Sequence, residues 1–236
     1  MGVAVLFDCD GVLINTEEIG YTLLSKEFAT YGIQYSRESF VEMLSGVTYK
    51  KFQENVKARH PELPGDFFED FSLKMKAVQE TQMKAIDGVK ALLQNLKNAN
   101  IPFAVCSNSS ADGLLYKLKH TGLFDYFVPH IYSRDHVDTP KPAPDMFQLA
   151  ARVFNVEPKD CLVVEDSITG AMAGVAADMK VIGFVGESHR DDTEAALLLK
   201  AGAKMIALNT QQVWEHITDQ AKIKPQNPAP GSSLAP

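Results

Sequence analysis

The sequence predicts an α/β fold, with a parallel sheet at its core and helices on both faces of the sheet. Helical and strand-like patterns alternate from about residue 86 onward, which is typical of parallel α/β structure. The opening run Val3–Phe7 is entirely apolar, as expected of a strand buried at the centre of such a sheet. The chain has 236 residues, of which 45% are hydrophobic and 22% are charged, so it can bury a sizeable core without disulfides.

The elements after residue 86 follow one another with short connections. A helix is expected first, over Val89–Asn98, because its apolar residues recur at the spacing of one helix face. Further helices are expected at Ala111–His120, Pro144–Phe154 and Ile168–Ala177, and a last one around Trp214. Strands are expected at Ile101–Cys106, Val128–Tyr132, Cys161–Val164, Lys180–Val185 and Lys204–Leu208. This order predicts a Rossmann-like core.

Residues 16–85 differ in kind, because they show amphipathic stretches and no convincing strand. We therefore expect a small all-helical cap (residues 16–85) inserted after the first strand of a core formed by residues 1–15 and 86–221. A cap at this point would cover the carboxyl edge of the sheet, where open α/β folds bind their ligands. Residues 222–236 are rich in Pro, Ser and Gly and are predicted to be a disordered tail. The cap helices are expected at Glu17–Tyr31, Arg37–Leu44, Tyr49–Arg59 and Asp66–Met83.

Composition excludes several classes of partner. The formal net charge of -7 argues against nucleic acid and anionic membranes, which need a basic surface, but not against a small phosphorylated substrate. The apolar runs are too short for a membrane span, and the N-terminus lacks the pattern of a signal peptide. The 3 cysteines are far apart and have no metal-ligand spacing, so we expect reduced thiols in a cytoplasmic protein.

The strongest chemical signal is the pair Asp8 and Asp10 at the end of the first strand. Alternation along an extended chain directs both carboxylates to one side and turns Cys9 away from them. Neighbouring carboxylates are costly unless a cation neutralises them or one is protonated, and a nucleophile paired with a general acid uses both. Taken alone, these residues would also suit a polar loop whose aspartates cap a turn.

A second acidic pair, Glu165 and Asp166, ends another apolar strand, and Ser167 is a good N-cap for the helix that follows. Mg²⁺ prefers oxygen ligands with few carboxylates, so Asp8, Asp166 and a backbone carbonyl form a sensible ligand set. Alone, the acidic pair would also be explained by a favourable interaction with the helix dipole.

Two further strand ends carry polar residues. Ser107 and Asn108 lie where a strand runs into a helix start, and a hydroxyl with free backbone N–H groups there can bind an anion. Ser109 with Asp112 also resembles a capping box for that helix. Lys141 lies between prolines, which restrict the backbone and reduce the entropy cost of orienting its ammonium group. A lone lysine in such a loop can also simply be solvated.

Together, these motifs resemble those of the haloacid dehalogenase-like hydrolase superfamily, and in particular its branch of β-phosphoglucomutases and small sugar-phosphate phosphatases. The resemblance extends from residue 1 to about residue 210 and depends on four motifs in the family's order and spacing. They are Asp8-Cys9-Asp10-Gly11-Val12, Ser107-Asn108-Ser109, Lys141-Pro142-Ala143-Pro144-Asp145-Met146-Phe147 and the Glu165-Asp166-Ser167 motif with Gly170, Ala173 and Gly174.

The resemblance implies a role for each motif. Asp8 would be the nucleophile that attacks phosphorus, and Asp10 would protonate the leaving alkoxide and then activate water. Ser107, Asn108 and Lys141 would bind the transferring phosphoryl group. Mg²⁺ would be held by the Asp8 carboxylate, the Asp10 carbonyl and Asp166, with Glu165 as a further ligand or a neighbour of the ligands.

The second aspartate selects among the chemistries of the family. Asp10 favours hydrolysis or transfer of a phosphate ester, since dehalogenases and phosphonatases of the family lack an aspartate there. β-Phosphoglucomutases carry His where this chain has Gly20, and Lys-Gly-Val-Ser-Arg where it has Ser45-Gly46-Val47-Thr48-Tyr49. The implied activity is therefore a Mg²⁺-dependent phosphatase acting on a sugar phosphate or sugar-acid phosphate. The alternatives are a mutase and a non-catalytic binding protein on the same fold. A monomer is expected.

Overall fold

The computed structural model describes residues 2–44, 49–186 and 192–222, and its centre is a parallel sheet of six strands. The strand order is β3-β2-β1-β4-β5-β6, which is the order of a Rossmann-like sheet and confirms the predicted fold class. The strands are β1 (Ala4–Phe7), β2 (Phe103–Ser107), β3 (Ile131–Ser133), β4 (Cys161–Glu165), β5 (Lys180–Phe184) and β6 (Met205–Ala207).

Helices connect these strands, and one helix follows the last strand. Between β1 and β2 lie α1 (Thr16–Ala29), α2 (Arg37–Leu44), α3 (Tyr49–Arg59), α4 (Phe67–Gln82) and α5 (Val89–Asn98). The later helices are α6 (Ala111–His120), α7 (Phe124–Phe127), α8 (Asp145–Phe154), α9 (Ile168–Ala176), α10 (Asp192–Lys200) and α11 (Thr210–Ala221).

The strands are buried on both faces, and their alternating side chains enter two separate apolar clusters. Val5 and Phe7 of β1 pack in one cluster with α5, α6, α7 and α11. Ala4 and Leu6 pack in the other cluster with α8, α9 and α10. This arrangement explains why β1 is apolar at every position, since both of its faces are covered by helices.

Helices α1–α4 form an apolar cluster of their own, which meets the first cluster of the sheet at Met75. It is built largely from aromatic rings, and Phe52 is fully buried among Phe40, Tyr49 and Phe68. The segment from residue 16 to residue 82 therefore has its own hydrophobic core between β1 and β2. The described part of this segment contains no strand, although isolated bridges involving Ile14 lie at its base.

Several predicted elements differ from the structure in their bounds. Helices Val89–Asn98 and Ala111–His120 lie where they were predicted, whereas the strand predicted at Val128–Tyr132 begins later, at Ile131. Pro129 has no N–H to donate to the neighbouring strand, and pairing with β2 begins at Ile131 opposite Val105. Helix α7 was missed because it is a single turn, and α10 because its run of adjacent Ala and Leu residues lacks a clear helical period.

Some predictions lie outside the described residues. These are the tail beyond residue 222 and Ser45–Thr48, whose departure from the mutase motif rests on the sequence alone. In the described part of the chain, no helix combines the length and the apolar character needed to cross a membrane.

Candidate active site

The carboxyl ends of β1, β2 and β4 open into a cavity of about 460 Å³. All the residues that the sequence singled out as catalytic, phosphate-binding or metal-binding line this cavity. They are Asp8, Asp10, Ser107, Asn108, Lys141, Glu165 and Asp166. Parallel strands with adjacent carboxyl ends bring these residues together even though they are far apart in the sequence.

The ammonium group of Lys141 is at the centre of the buried charges. Its Nζ donates hydrogen bonds to Asp8 Oδ1 at 2.7 Å, to Glu165 Oε1 at 2.6 Å and to the Cys106 carbonyl at 2.6 Å. Burial acts to lower the pKa of Lys141, but attraction to the Asp8 and Glu165 carboxylates outweighs it and raises that pKa. Lys141 is therefore a fixed positive charge beside Asp8.

Burial has the opposite consequence for the carboxyl groups. Burial raises the pKa of Asp8 to about 7, against the attraction of Lys141 and with help from the neighbouring Glu165 and Asp10. Burial also raises the pKa of Glu165, which is 0% exposed. One lysine does not compensate for so many buried carboxylates, so a further cation would stabilise the ionised site.

Three acidic residues offer a place for that cation. One carboxylate oxygen each from Asp8, Glu165 and Asp166 can be chosen such that all lie within 4.8 Å of one another. Oxygen donors from a few carboxylates are the ligand set that Mg²⁺ prefers. Both oxygens of Glu165 are engaged, since its Oε1 accepts from Lys141 and its Oε2 accepts from the Ser167 N–H at 3.2 Å and hydroxyl at 3.0 Å. The donor set fits a divalent metal.

Asp10 is held by a separate group of donors. Its Oδ1 accepts from Thr16 at 2.5 Å and Lys117 at 2.5 Å, and its Oδ2 accepts from Ser109 at 3.1 Å. Burial acts to raise the pKa of Asp10, but the Lys117 charge and these hydrogen bonds outweigh it and lower that pKa. Asp10 is therefore ionised in this arrangement.

Sequence reasoning missed Lys117. No motif marks this residue, because it lies in the last turn of α6 and reaches Asp10 across 107 residues of sequence. The sequence shows only where Lys117 lies on α6 relative to the start of the helix at Ser110. That position does not indicate which strand end the helix faces.

The polar residues after β2 are used differently from some of the sequence expectations. The Asn108 side chain pairs with the backbone of Lys141, accepting from its N–H and donating to its carbonyl, each at 3.0 Å. Ser109 was expected to cap α6 with Asp112, which is wrong. Ser110 is the N-cap and accepts from the Gly113 N–H, because the Ser109 hydroxyl is turned toward Asp10. Ser167 caps α9, as predicted.

The mouth of the cavity is formed by α1, α2 and α10. We call this part the outer wall, and it consists of Glu17, Tyr21, Arg37, Phe40, Glu194 and Leu197. Arg37 of α2 donates to Glu18 of α1 and to Glu194 of α10, so it links the helical segment to the sheet domain's helices. This ion-pair group could not be predicted from the sequence, because its members are brought together by tertiary packing.

Chemically, the floor of the cavity combines the Asp8 carboxylate beside an ammonium group, the Asp10 carboxylate with its own hydrogen-bond donors, and carboxylates close enough together to hold a divalent cation. Such a combination can position an anionic group next to a nucleophile and neutralise the charge that develops during its transfer.

Comparison with known proteins gives a consistent result. The family model described as haloacid dehalogenase-like hydrolase matches residues 5–184. The bifunctional riboflavin kinase/FMN phosphatase of Arabidopsis thaliana is 34% identical over 179 residues, covering 75% of this chain but 47% of that protein. The chain thus spans less than half the length of that relative. The 6-phosphogluconate phosphatase of Escherichia coli is 27% identical over 188 residues, covering 79% of this chain and 84% of that protein.

A solved structure shares the fold over most of the chain. A conserved haloacid dehalogenase-like protein of unknown function from Agrobacterium tumefaciens superposes with a TM-score of 0.84 at 35% sequence identity. The match covers 94% of this chain and 100% of the other.

Proposed function

This chain belongs to the haloacid dehalogenase-like hydrolase family, and we propose that it is a Mg²⁺-dependent phosphatase of a small phosphorylated metabolite. The substrate class is a sugar phosphate or sugar-acid phosphate. The names of its relatives, which include an FMN phosphatase and a 6-phosphogluconate phosphatase, support hydrolysis of a phosphate monoester with a small leaving group.

The observation that carries this proposal is the contact between Asp8 and Lys141, 2.7 Å apart inside the cavity, with Asp166 close by. In the proposed mechanism the Asp8 carboxylate attacks phosphorus, the bond to the leaving oxygen breaks, and an aspartyl phosphate forms. Lys141 and Ser107 bind the phosphoryl oxygens and reduce their repulsion with Asp8. Asn108 acts through its pairing with the Lys141 backbone, which fixes the loop that carries the ammonium group.

Asp10 is the proposed acid and base. In the first step the protonated form of Asp10 gives its proton to the leaving alkoxide and becomes a carboxylate. In the second step that carboxylate removes a proton from the water that releases phosphate, which restores the protonated form. The pairing of Asp10 with Lys117 supports the second of these roles most directly, because an ionised carboxylate is ready to accept a proton.

The residues that would hold a divalent metal are Asp8, Asp166 and, through its carbonyl, Asp10. Glu165 would orient Lys141, to which it is hydrogen-bonded. When bound, Mg²⁺ would supply positive charge that favours the ionised form of Asp8 and binds phosphoryl oxygens. Without it, the raised pKa of Asp8 leaves part of the nucleophile protonated near neutral pH.

A panel of sugar phosphates and sugar-acid phosphates tests the proposal, with released phosphate measured with Mg²⁺ and with a chelator. Release that requires Mg²⁺ is expected. No release from any ester, including p-nitrophenyl phosphate, would contradict the phosphatase assignment and favour the non-catalytic alternative.

The mutase remains the second candidate function, and Gly20 argues against it because β-phosphoglucomutases carry His there. The same panel separates the two, since a mutase would give an isomeric sugar phosphate without free phosphate.

We also propose that residues 16–85 act as a cap over the cavity and that the enzyme is a monomer. A monomer would leave the cap free to open and close.

A further inference from the structure

The outer wall contains one ion-pair group whose geometry bears on the leaving group of the substrate. Arg37 donates from Nη1 to Glu18 at 2.7 Å and from Nε to Glu194 at 3.1 Å. Its guanidinium carbon also lies 4.7 Å from the centre of the Tyr21 ring. The Arg37 side chain is 14% exposed, so this cation is fixed in place and largely withdrawn from water.

These contacts restrict what Arg37 can offer a ligand. A guanidinium group binds a carboxylate or phosphate best through two parallel N–H groups, from Nη1 with Nη2 or from Nε with Nη2. Each of these pairs has one member already engaged, by Glu18 or by Glu194. An anionic leaving group would have to displace a carboxylate before it could form such a two-point contact, and the displaced carboxylate would then repel it.

An uncharged hydroxyl group fits the same arrangement without displacing anything. Within the described parts of the chain, Arg37 Nη2 has no hydrogen-bond acceptor, so it can donate to a hydroxyl oxygen. A hydroxyl can also donate to a carboxylate of the wall. The wall therefore offers a hydroxyl group both a donor, the Arg37 guanidinium, and carboxylate acceptors.

Apart from the carboxylate of Glu17, the remaining members of the outer wall are apolar or aromatic. Phe40 and Leu197 face the cavity together with the ring of Tyr21. Ligand sites that combine an apolar surface with a few oriented polar groups favour a ligand with one apolar face and a hydroxylated edge.

Resting on the proposed phosphatase function, we propose that the preferred substrate has an uncharged, hydroxylated leaving group, such as a neutral sugar, and that Glu18, Arg37 and Glu194 select against a second anionic group. This deepens the assignment by choosing sugar phosphates over sugar-acid phosphates and bisphosphates. Arg37 is then a specificity-determining residue whose charge is neutralised by Glu18 and Glu194 of the protein and not by the substrate.

Matched pairs of substrates test the proposal. We would measure kcat/KM for glucose 6-phosphate against 6-phosphogluconate and for fructose 1-phosphate against fructose 1,6-bisphosphate, with Mg²⁺ present. The uncharged leaving group is expected to be favoured by about tenfold or more in each pair. Equal values, or a preference for the acidic member, would overturn the inference while leaving the phosphatase assignment intact.

Substitutions in the ion-pair group provide a second test. Glu18→Gln and Glu194→Gln each remove one carboxylate from Arg37 and should reduce the preference by about fivefold or more, because an anionic group can then reach the guanidinium. Glu27→Gln is the matched control, since Glu27 lies in the same helix as Glu18, pairs with Lys74 at 2.6 Å and does not line the cavity. It should leave the preference within about twofold of the wild type.

An unchanged preference in both test variants would overturn the role assigned to Arg37. Absence of hydrolysis of every ester, p-nitrophenyl phosphate included, would instead contradict the proposed function on which this inference rests.

Discussion

At the scale of single residues, the site is governed by the imbalance between one buried lysine and the buried carboxylates around it. Lys141 contacts both Asp8 and Glu165, and all these side chains are nearly inaccessible to water. Leaving buried carboxylates without their cation is costly, so each partner depends on the others for its charge state. Asp8 shares Lys141 with Glu165, whereas Asp10 is paired with Lys117. Together with burial, this difference explains why the pKa of Asp8 is raised and the pKa of Asp10 is lowered.

Replacing the proposed nucleophile should abolish turnover without disturbing the fold. We expect Asp8→Asn to lower kcat by at least about 10³-fold, because an amide cannot attack phosphorus, while circular dichroism stays unchanged. Asp178→Asn is the matched control. Asp178 is exposed and adopts a positive φ of 61°, a conformation that Asn also tolerates. Near-normal turnover in Asp8→Asn would eliminate the covalent mechanism.

The same variant should change how stability depends on pH in the absence of metal. The pKa of Asp8 is about 7 in the folded chain and 3.8 in the unfolded chain, so the folded protein binds more protons between these values and its stability falls as pH rises. Asp8→Asn removes that loss. It should therefore raise the free energy of unfolding relative to wild type by up to about 4 kcal/mol near pH 8, and by little near pH 4.

Urea unfolding of both proteins in a chelator at these pH values measures the difference. A constant difference across the range would show that Asp8 is not destabilised by ionisation in the fold. Addition of Mg²⁺ should stabilise the wild type more than the variant.

At the scale of elements, the site depends on how closely α9 approaches the end of β4. Gly170 is in the first turn of α9, and a Cβ placed there would collide with the Glu165 carboxylate. The helix can therefore place its N-terminus against the buried acid only because this position lacks a side chain. The Ser167 N-cap then contacts Glu165 as well as the helix, so the turn that starts α9 also fixes the residue that holds Lys141.

A methyl group at Gly170 should consequently disturb the site. Gly170→Ala is expected to displace Glu165, to lower kcat/KM by about 10- to 100-fold, and to destabilise the fold by about 1–3 kcal/mol. Phosphate release and urea unfolding measure the two effects.

Gly20→Ala is the control for this prediction, because Gly20 is also helical and its nearest neighbour to a Cβ would be Met75 Cε at 3.6 Å. Alanine there should stabilise the chain by about 0.5–1 kcal/mol and spare activity. Equal kcat/KM and equal stability of Gly170→Ala and Gly20→Ala would mean that the close approach of Gly170 to Glu165 does not affect the site.

At the scale of the whole molecule, the helical segment and the sheet each have an apolar core. The cluster inside α1–α4 contains no strand residue, whereas the other two clusters cover the faces of the sheet. In the described residues, the ion pair of Arg37 with Glu194 joins the two parts across 157 positions of sequence. Separate cores allow the helical segment to change its stability, or its position, without loss of the sheet.

A cavity in the helical segment should therefore have local consequences. Phe52→Ala is expected to destabilise this segment by about 3–5 kcal/mol, because Phe52 is fully buried among aromatic rings. Amide hydrogen exchange should accelerate in α1–α4, while β1 and β4 keep their protection. Leu73→Ala is the control in the same segment. Leu73 is 71% exposed, so its loss should change stability by less than about 0.5 kcal/mol. Uniform acceleration through the sheet would mean that the chain unfolds as one unit.

The sequence by itself determined the fold class, most of the helix positions and the residues of the cavity floor. It could do so because local patterns carry the information. Burial on both faces makes β1 uniformly apolar, and the Asp8, Ser107 and Glu165 motifs each follow a strand whose carboxyl end must lie at the common edge.

Only the tertiary structure decided which groups neutralise the buried charges and what surrounds the leaving group. Lys117 reaches Asp10 from the last turn of α6, and Arg37 of α2 contacts Glu194 of α10. Charged side chains on helices look alike in sequence, because their partners are selected by packing between distant elements and by the loss of water there. A sequence motif identifies the residues at a strand end, whereas the ion pairs between side chains of distant helices are determined only when the chain is folded.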